Sequence, residues 1–105
     1  MRVFISQPMN GMTDDEIKNE RKKAIEKVRA EYPDEEIKII DNLFEEGYEI
    51  ANPLWYLGNS IELLSTADLA FFAEGWENAI GCLIEHECAV VYGIKYIMYY
   101  DNVTE

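Results

Sequence analysis

Hydrophobic and polar positions along this chain switch between a strand-like and a helix-like spacing, and the switches mark its elements. Met1-Arg2-Val3-Phe4-Ile5-Ser6 is a short β-prone run that ends where Gln7-Pro8-Met9-Asn10-Gly11-Met12 brings in Pro and Gly as a loop. Thr13 with Glu16 forms a capping box, and Ile17, Arg21, Ala24, Ile25, Val28 and Tyr32 then follow at helical spacing. These positions predict a first helix over Asp14–Glu31, stopped ahead of Pro33. Residues 36–40 predict a second strand, and residues 41–52 form an irregular acidic segment containing Gly47. Asn52 before Pro53 is a favoured cap and first-turn pair, so Leu54, Leu57, Ile61 and Leu64 mark a second helix. Residues 68–73 are nearly all apolar, as expected for a strand covered on both faces. A third helix is predicted from Asn78 to Gly93, with Gly93 as its C-cap, followed by a fourth strand at residues 95–100.

The order β-α-β-α-β-α-β implies a single α/β domain over residues 1–105, a three-layer flavodoxin-like or Rossmann-like sandwich. Its four-stranded parallel sheet is expected in the order 2-1-3-4. The order then reverses between strands one and three, and ligands of such sheets bind outside the carboxyl ends of the strands at that switch point. Residues 6–11 and 73–81 meet at this mouth. Asp68 lies at the opposite end of the sheet and reads as structural.

Charge narrows the partners. Twenty-one acidic against nine basic residues give a formal net charge of -12, which repels nucleic acid and anionic membranes unless the cations cluster. They do not: Arg21, Lys22, Lys23, Lys27 and Arg29 interleave with Glu20, Glu26 and Glu31. No nucleic-acid partner is expected, although a small nucleotide is compatible. No run approaches the ~18 apolar residues of a membrane span, and the N-terminus lacks the features of a signal peptide, so a cytoplasmic protein is expected. Cys82 and Cys88 lie on one predicted helix, too far apart for a disulfide, and read as small buried hydrophobes. Cys82 and His86 stand at i and i+4, but Cys88 falls off their stripe and no third ligand is evident, so no metal site is expected. The usual phosphate, dinucleotide and serine-hydrolase motifs are missing, and no cofactor is expected.

Glu85 is the residue with the most chemical promise. It sits mid-helix, with Gly81 one turn before it and Ala89 one turn after, and its side chain leans back over Gly81. A carboxylate between small neighbours is either exposed or has room for a ligand. On chemistry alone a solvated glutamate is the favoured reading, because Glu is rarely buried. The positive helix end would favour its ionised form, and an ionised carboxylate beside a closed pocket can attack an anomeric carbon. Glu87 falls on another face and reads as solvated. Trp55, Tyr56 and Trp76 read as core packing, or more sharply as base-stacking or subunit-contact residues.

Two stretches carry a resemblance. Val3-Phe4-Ile5-Ser6-Gln7-Pro8-Met9-Asn10-Gly11 is similar to the opening strand and AGP-x-x-G loop of the nucleoside 2-deoxyribosyltransferase-like superfamily, and Gly81 to Lys95 resembles its G-x-x-x-E-x-G-x-A-x-x-x-G-K stretch. The chain looks most like short, phage-type relatives in that superfamily. The resemblance implies that Glu85 attacks C1′ of a deoxyribosyl group and expels the base, with water or a second base completing the reaction. It further implies that Ser6, Pro8 and Met9 contact sugar or 5′-phosphate, that Trp76, Asn78 and Gly81 line the site, and that Asn102 completes the site of a neighbouring copy in a homodimer or larger homo-oligomer. The substrate implied is a small nucleoside or nucleotide. Departures are equally plain. Phe4 stands where the family has an orienting tyrosine, Ala79 where it has a polar residue, Gln7 where it has a loop glycine, and Glu87 where it has a second glycine. Glu62, Asn59 and Ser60 are the candidates for protonating the base. These departures raise a second reading, a non-catalytic nucleotide or small-phosphate binder; a third is a structural oligomerisation module built on the aromatic second helix.

Overall fold

The computed structural model describes residues 1–43 and 52–102. Its elements are β1 (Arg2–Ser6), α1 (Asp14–Glu31), β2 (Lys38–Ile39), α2 (Pro53–Leu64), β3 (Leu69–Phe72), a short 3-10 turn (Trp76–Asn78), α3 (Ile80–Val91) and β4 (Tyr96–Met98). The four strands form one parallel sheet in the order β2-β1-β3-β4, as expected. No helix among the described residues is long and apolar enough to cross a membrane.

Period-two alternation in the central strands assigns each side chain to a layer. Val3, Ile5, Leu69 and Phe71 pack with Ala24 and Val28 of α1, while Phe4, Ala70 and Phe72 pack with Leu64 of α2 and with Cys82 and Ala89 of α3. All four β3 residues are buried, as a strand covered on both faces requires. β2 is shorter than its sequence predicts. Beyond the ladder bond from Ile40 N–H to the Val3 carbonyl, the next carbonyl of β1, that of Ile5, is taken by the Asn42 side chain (3.0 Å) and not by backbone. Residues 44–51, most of the irregular acidic segment including Gly47, lie outside the described residues.

Local signals set the helix ends. Thr13 Oγ1 accepts from Glu16 N–H (3.1 Å) and Glu16 Oε1 accepts from Thr13 N–H (2.8 Å), the reciprocal bonds of the capping box. Asn52 Oδ1 accepts from Trp55 N–H at 2.8 Å with Pro53 at the first helical position. Asp68 is structural: its carboxylate accepts from Arg2 N–H (2.7 Å) and its own N–H returns to the Arg2 carbonyl (2.8 Å), tying β1 to the start of β3.

α3 ends on Gly93 at φ +71°, with Ile94 N–H bonded to the Ala89 carbonyl (2.9 Å) and Gly93 N–H to the Val90 carbonyl (3.4 Å). Nothing lies within 4 Å of a Cβ added at Gly93 or at Gly81, so only backbone conformation separates the two. Gly93→Ala is expected to lose about 1 kcal/mol from the left-handed backbone, whereas Gly81→Ala, in the first turn of α3, is expected to gain about 0.5 kcal/mol. Urea unfolding of the two variants beside wild type reads both signs.

Candidate active site

Alternation along β1 carries Phe4 and Ser6 to the α2/α3 side of the sheet and returns Gln7 to the α1 side. There the Gln7 amide donates to the Ile17 carbonyl (3.0 Å) and accepts from Arg21 (3.4 Å), whose guanidinium also reaches the Ile40 carbonyl (2.8 Å). Gln7 thus anchors the loop to α1. Burial lowers the pKa of Arg21, and the charge of nearby Asp41 opposes that shift.

On the other side Ser6 Oγ donates to Glu85 Oε1 at 2.6 Å, inside the molecule. Glu85 is only 7 % exposed, and Ser6, Ser60 of α2 and Cys82 are buried with it. The solvated glutamate favoured on chemistry alone is therefore corrected. The reason is the phase of α3. Cys82, Glu85 and Ala89, at i, i+3 and i+7, form its buried stripe, and two small residues on that stripe let the helix come close to the sheet. Because α3 is apolar on most of its circumference, solvation of one carboxylate does not decide which face turns inward.

Burial raises the Glu85 pKa above the ordinary carboxylate range, with hydrogen bonding from Ser6 and Ser60 partly offsetting it. The expectation that the helix end would favour the ionised form is thus outweighed by desolvation. Burial also pushes the Cys82 thiol up to about 11, helped by the Glu85 charge and opposed by a Ser6 hydrogen bond. At neutral pH Cys82 is a neutral thiol, a small hydrophobe and not a nucleophile.

The other expected site residues divide. Pro8 lies over Gly75, its Cγ 3.2 Å from where a Gly75 Cβ would stand, so the β1–α1 and β3–α3 loops meet at the mouth. Gly75 also has φ +89°, which favours glycine independently. Met9 is exposed beside this contact. Asn78 is exposed in the 3-10 turn, because α3 begins two residues later than predicted, at Ile80, with Ala79 as a cap that offers no side-chain bond. Glu85 therefore lies ~7.5 Å along the helix from its start. Gly81 is exposed and faces open space. Trp76 is buried in the core, 5.4 Å from the Phe72 ring and 4.6 Å from His86. Asn102 accepts from Lys27 of α1 (3.4 Å), on the opposite layer from Glu85, so one chain does not bring the two together.

Of the three candidate acids, Glu62 is exposed, Asn59 donates to the Trp55 carbonyl (2.7 Å), and Ser60 alone joins Glu85. Its signal in the sequence is a polar residue one turn before buried Leu64 on an apolar stripe. No protein-family model, no curated protein and no solved structure matches the chain significantly.

Since the folded protein holds the Glu85 proton to higher pH than the unfolded chain does, unfolding releases a proton between the two pKa values. Stability therefore falls as pH rises through that window, and the penalty is constant above it. Glu85→Gln retains an acceptor for Ser6 and does not titrate. Urea unfolding from about pH 4 to about pH 8 is expected to show the variant gaining on wild type through the window and then holding a constant lead. A difference independent of pH would mean that Glu85 titrates normally.

Proposed function

We propose that the protein cleaves or transfers the N-glycosidic bond of a nucleoside, a deoxynucleoside or a nucleoside monophosphate, with Glu85 as nucleophile. The observation that carries this reading is the buried hydrogen bond from Ser6 to Glu85 at the switch point of the sheet. In the transferases that the chain resembles, a strand-one tyrosine orients the nucleophile. Here Phe4 has no hydroxyl, and Ser6, two residues further along the same face of β1, supplies one.

In this reaction an ionised Glu85 oxygen forms an ester bond to C1′, and the C1′–N bond breaks with its electron pair leaving on the base, which takes up a proton. Water or a second base then attacks C1′ and releases the carboxylate. Burial acts in two directions. It moves the Glu85 pKa toward neutrality, and it strengthens the attraction between the carboxylate and the positive charge that develops on the sugar. The uncapped start of α3 offers backbone N–H groups to a 5′-phosphate, beside Pro8, Met9, Asn78 and Gly81. Free thiols at Cys82 and Cys88 suit a reducing compartment, and we read the activity as cytoplasmic.

The raised pKa favours one alternative, a binding protein whose neutral Glu85 donates a hydrogen bond to a nucleotide without breaking it. Incubation with a panel of nucleosides and nucleoside 5′-monophosphates, read by chromatography of released base, separates the two. The expected result is base release whose kcat/KM rises with pH through an elevated pKa, lost by at least about a thousandfold in Glu85→Ala. Melting shifts with these compounds and no released base would establish the alternative; neither shift nor release would reject both.

A further inference from the structure

The groups around Glu85 bind a carboxylate but do not supply an acid. Ser6 donates its proton to Glu85 (2.6 Å) and Ser60 bonds to the same carboxyl, so both hydroxyl hydrogens are committed when Glu85 is ionised and ready to attack. The Cys82 thiol, pushed up to about 11 by burial, keeps its proton at neutral pH. His86 packs among the rings of Phe72, Trp76 and Tyr96, at 5.2, 4.6 and 5.0 Å, and its Nε2 is buried. Glu62 is exposed, and the Asn59 amide is spent on the Trp55 carbonyl. Among the described residues, no side chain beside Glu85 is suited to protonate a departing base at neutral pH.

Charge points the same way. Residues 39–94, which supply the end of β2 and all of α2, β3 and α3, hold ten Asp and Glu and neither Lys nor Arg. Six of the nine basic residues lie on α1, in the opposite layer, and Arg2, Lys38 and Lys95 stand at or beside the amino ends of β1, β2 and β4. At the carboxyl ends of the strands, Glu74 and Glu77 are exposed in the loop from β3 to α3. A mouth of this composition raises the local concentration of cations.

We infer that the substrate is an N-glycoside whose base already carries a positive charge, such as an N7-alkylated purine nucleoside or the nucleoside of a pyridinium base. The inference rests on the reading of Glu85 as nucleophile. A Glu85 oxygen bonds to C1′ as the C1′–N bond breaks, and the electron pair left on nitrogen cancels the charge of the ring, so the base departs neutral without taking up a proton. Water then attacks C1′, gives its proton to solvent and frees the carboxylate. A neutral base would instead have to leave as an anion, in a layer whose charges repel one.

Guanosine and 7-methylguanosine differ by one methyl group and one charge, and nicotinamide riboside carries a permanent charge on an unrelated ring. Chromatography of released base at about pH 6, where the methylated purine keeps its charge, compares the three, with the rate in buffer alone subtracted. Wild type is expected to cleave both cationic nucleosides with kcat/KM at least about a hundredfold above that for guanosine. That activity is expected to be lost in Glu85→Gln and to fall several-fold as NaCl is raised from about 20 mM to about 500 mM. Guanosine cleaved within about tenfold of 7-methylguanosine, or cleavage of the cations indifferent to salt, overturns the choice of substrate and leaves Glu85 standing as nucleophile. Base released equally well by Glu85→Gln, or from none of these and no other nucleoside, overturns both.

Discussion

The closeness of α3 to the sheet is the constraint from which the rest follows. Cys82 and Ala89 bracket Glu85 on the buried stripe, and both are small enough to bring the helix within hydrogen-bond range of Ser6 at the end of β1. A leucine at either position would push the axis outward and separate the carboxyl from its hydroxyl. The carboxyl would then be buried without a partner, a loss of about 1–3 kcal/mol or more for a group that can carry charge. Ser6 must in turn follow Phe4 on the α2/α3 face, which β1 ensures by pairing with β3 in the register that sets Ser6 beside Phe72. One polar contact thus depends on strand register, helix phase and residue size together.

Around it the layer is apolar. Phe4, Phe72, Trp76 and Leu64 are core residues, and the polar groups buried with Glu85 are two serine hydroxyls. Such a cluster adds little to stability compared with an all-apolar stripe, because the hydroxyls recover only part of the desolvation they offset. Gln7, Glu31 and Asn42 are also buried, but Ser6, Ser60 and Glu85 are the buried polar residues that gather around one carboxyl. The cluster lies at the carboxyl ends of β1 and β3, where ligands of open α/β sheets bind.

The sequence read well wherever the signal was local or periodic. The Thr13–Glu16 box, the Asn52-Pro53 start and the apolar run of β3 gave α1, α2 and β3 nearly to the residue, and the alternation of elements gave the strand order. It read less well where a tertiary contact decides. β2 is cut short by a side chain taking a backbone's place, and the start of α3 is displaced by a 3-10 turn following a glycine at positive φ. Glu85 itself was visible as a carboxylate between small neighbours, but not its burial, because an apolar helix carries no amphipathic signal to fix its phase. Ser6 and Ser60 were candidates for contacting sugar or phosphate and for protonating the base, but their meeting with Glu85 was hidden for a related reason: a hydroxyl on a strand or helix has no assigned partner until the third element that meets it is known.

The same missing signal explains the outer face of α3. An amphipathic helix on a sheet needs one apolar side; this one has two, with Glu85 inside and Glu87 outside as their polar exceptions. Selection for the inner face alone would leave the outer positions free to become Lys, Glu or Gln, as the outer face of α1 is, with its alternating charges. Ile80, Ile84 and Val91 are not neutral choices on a chain this acidic, because bare β-branched residues add apolar surface without helix propensity. The inner face accounts for where the carboxyl is held, and the outer face leaves Ile80, Leu83, Ile84, Val90 and Val91 exposed.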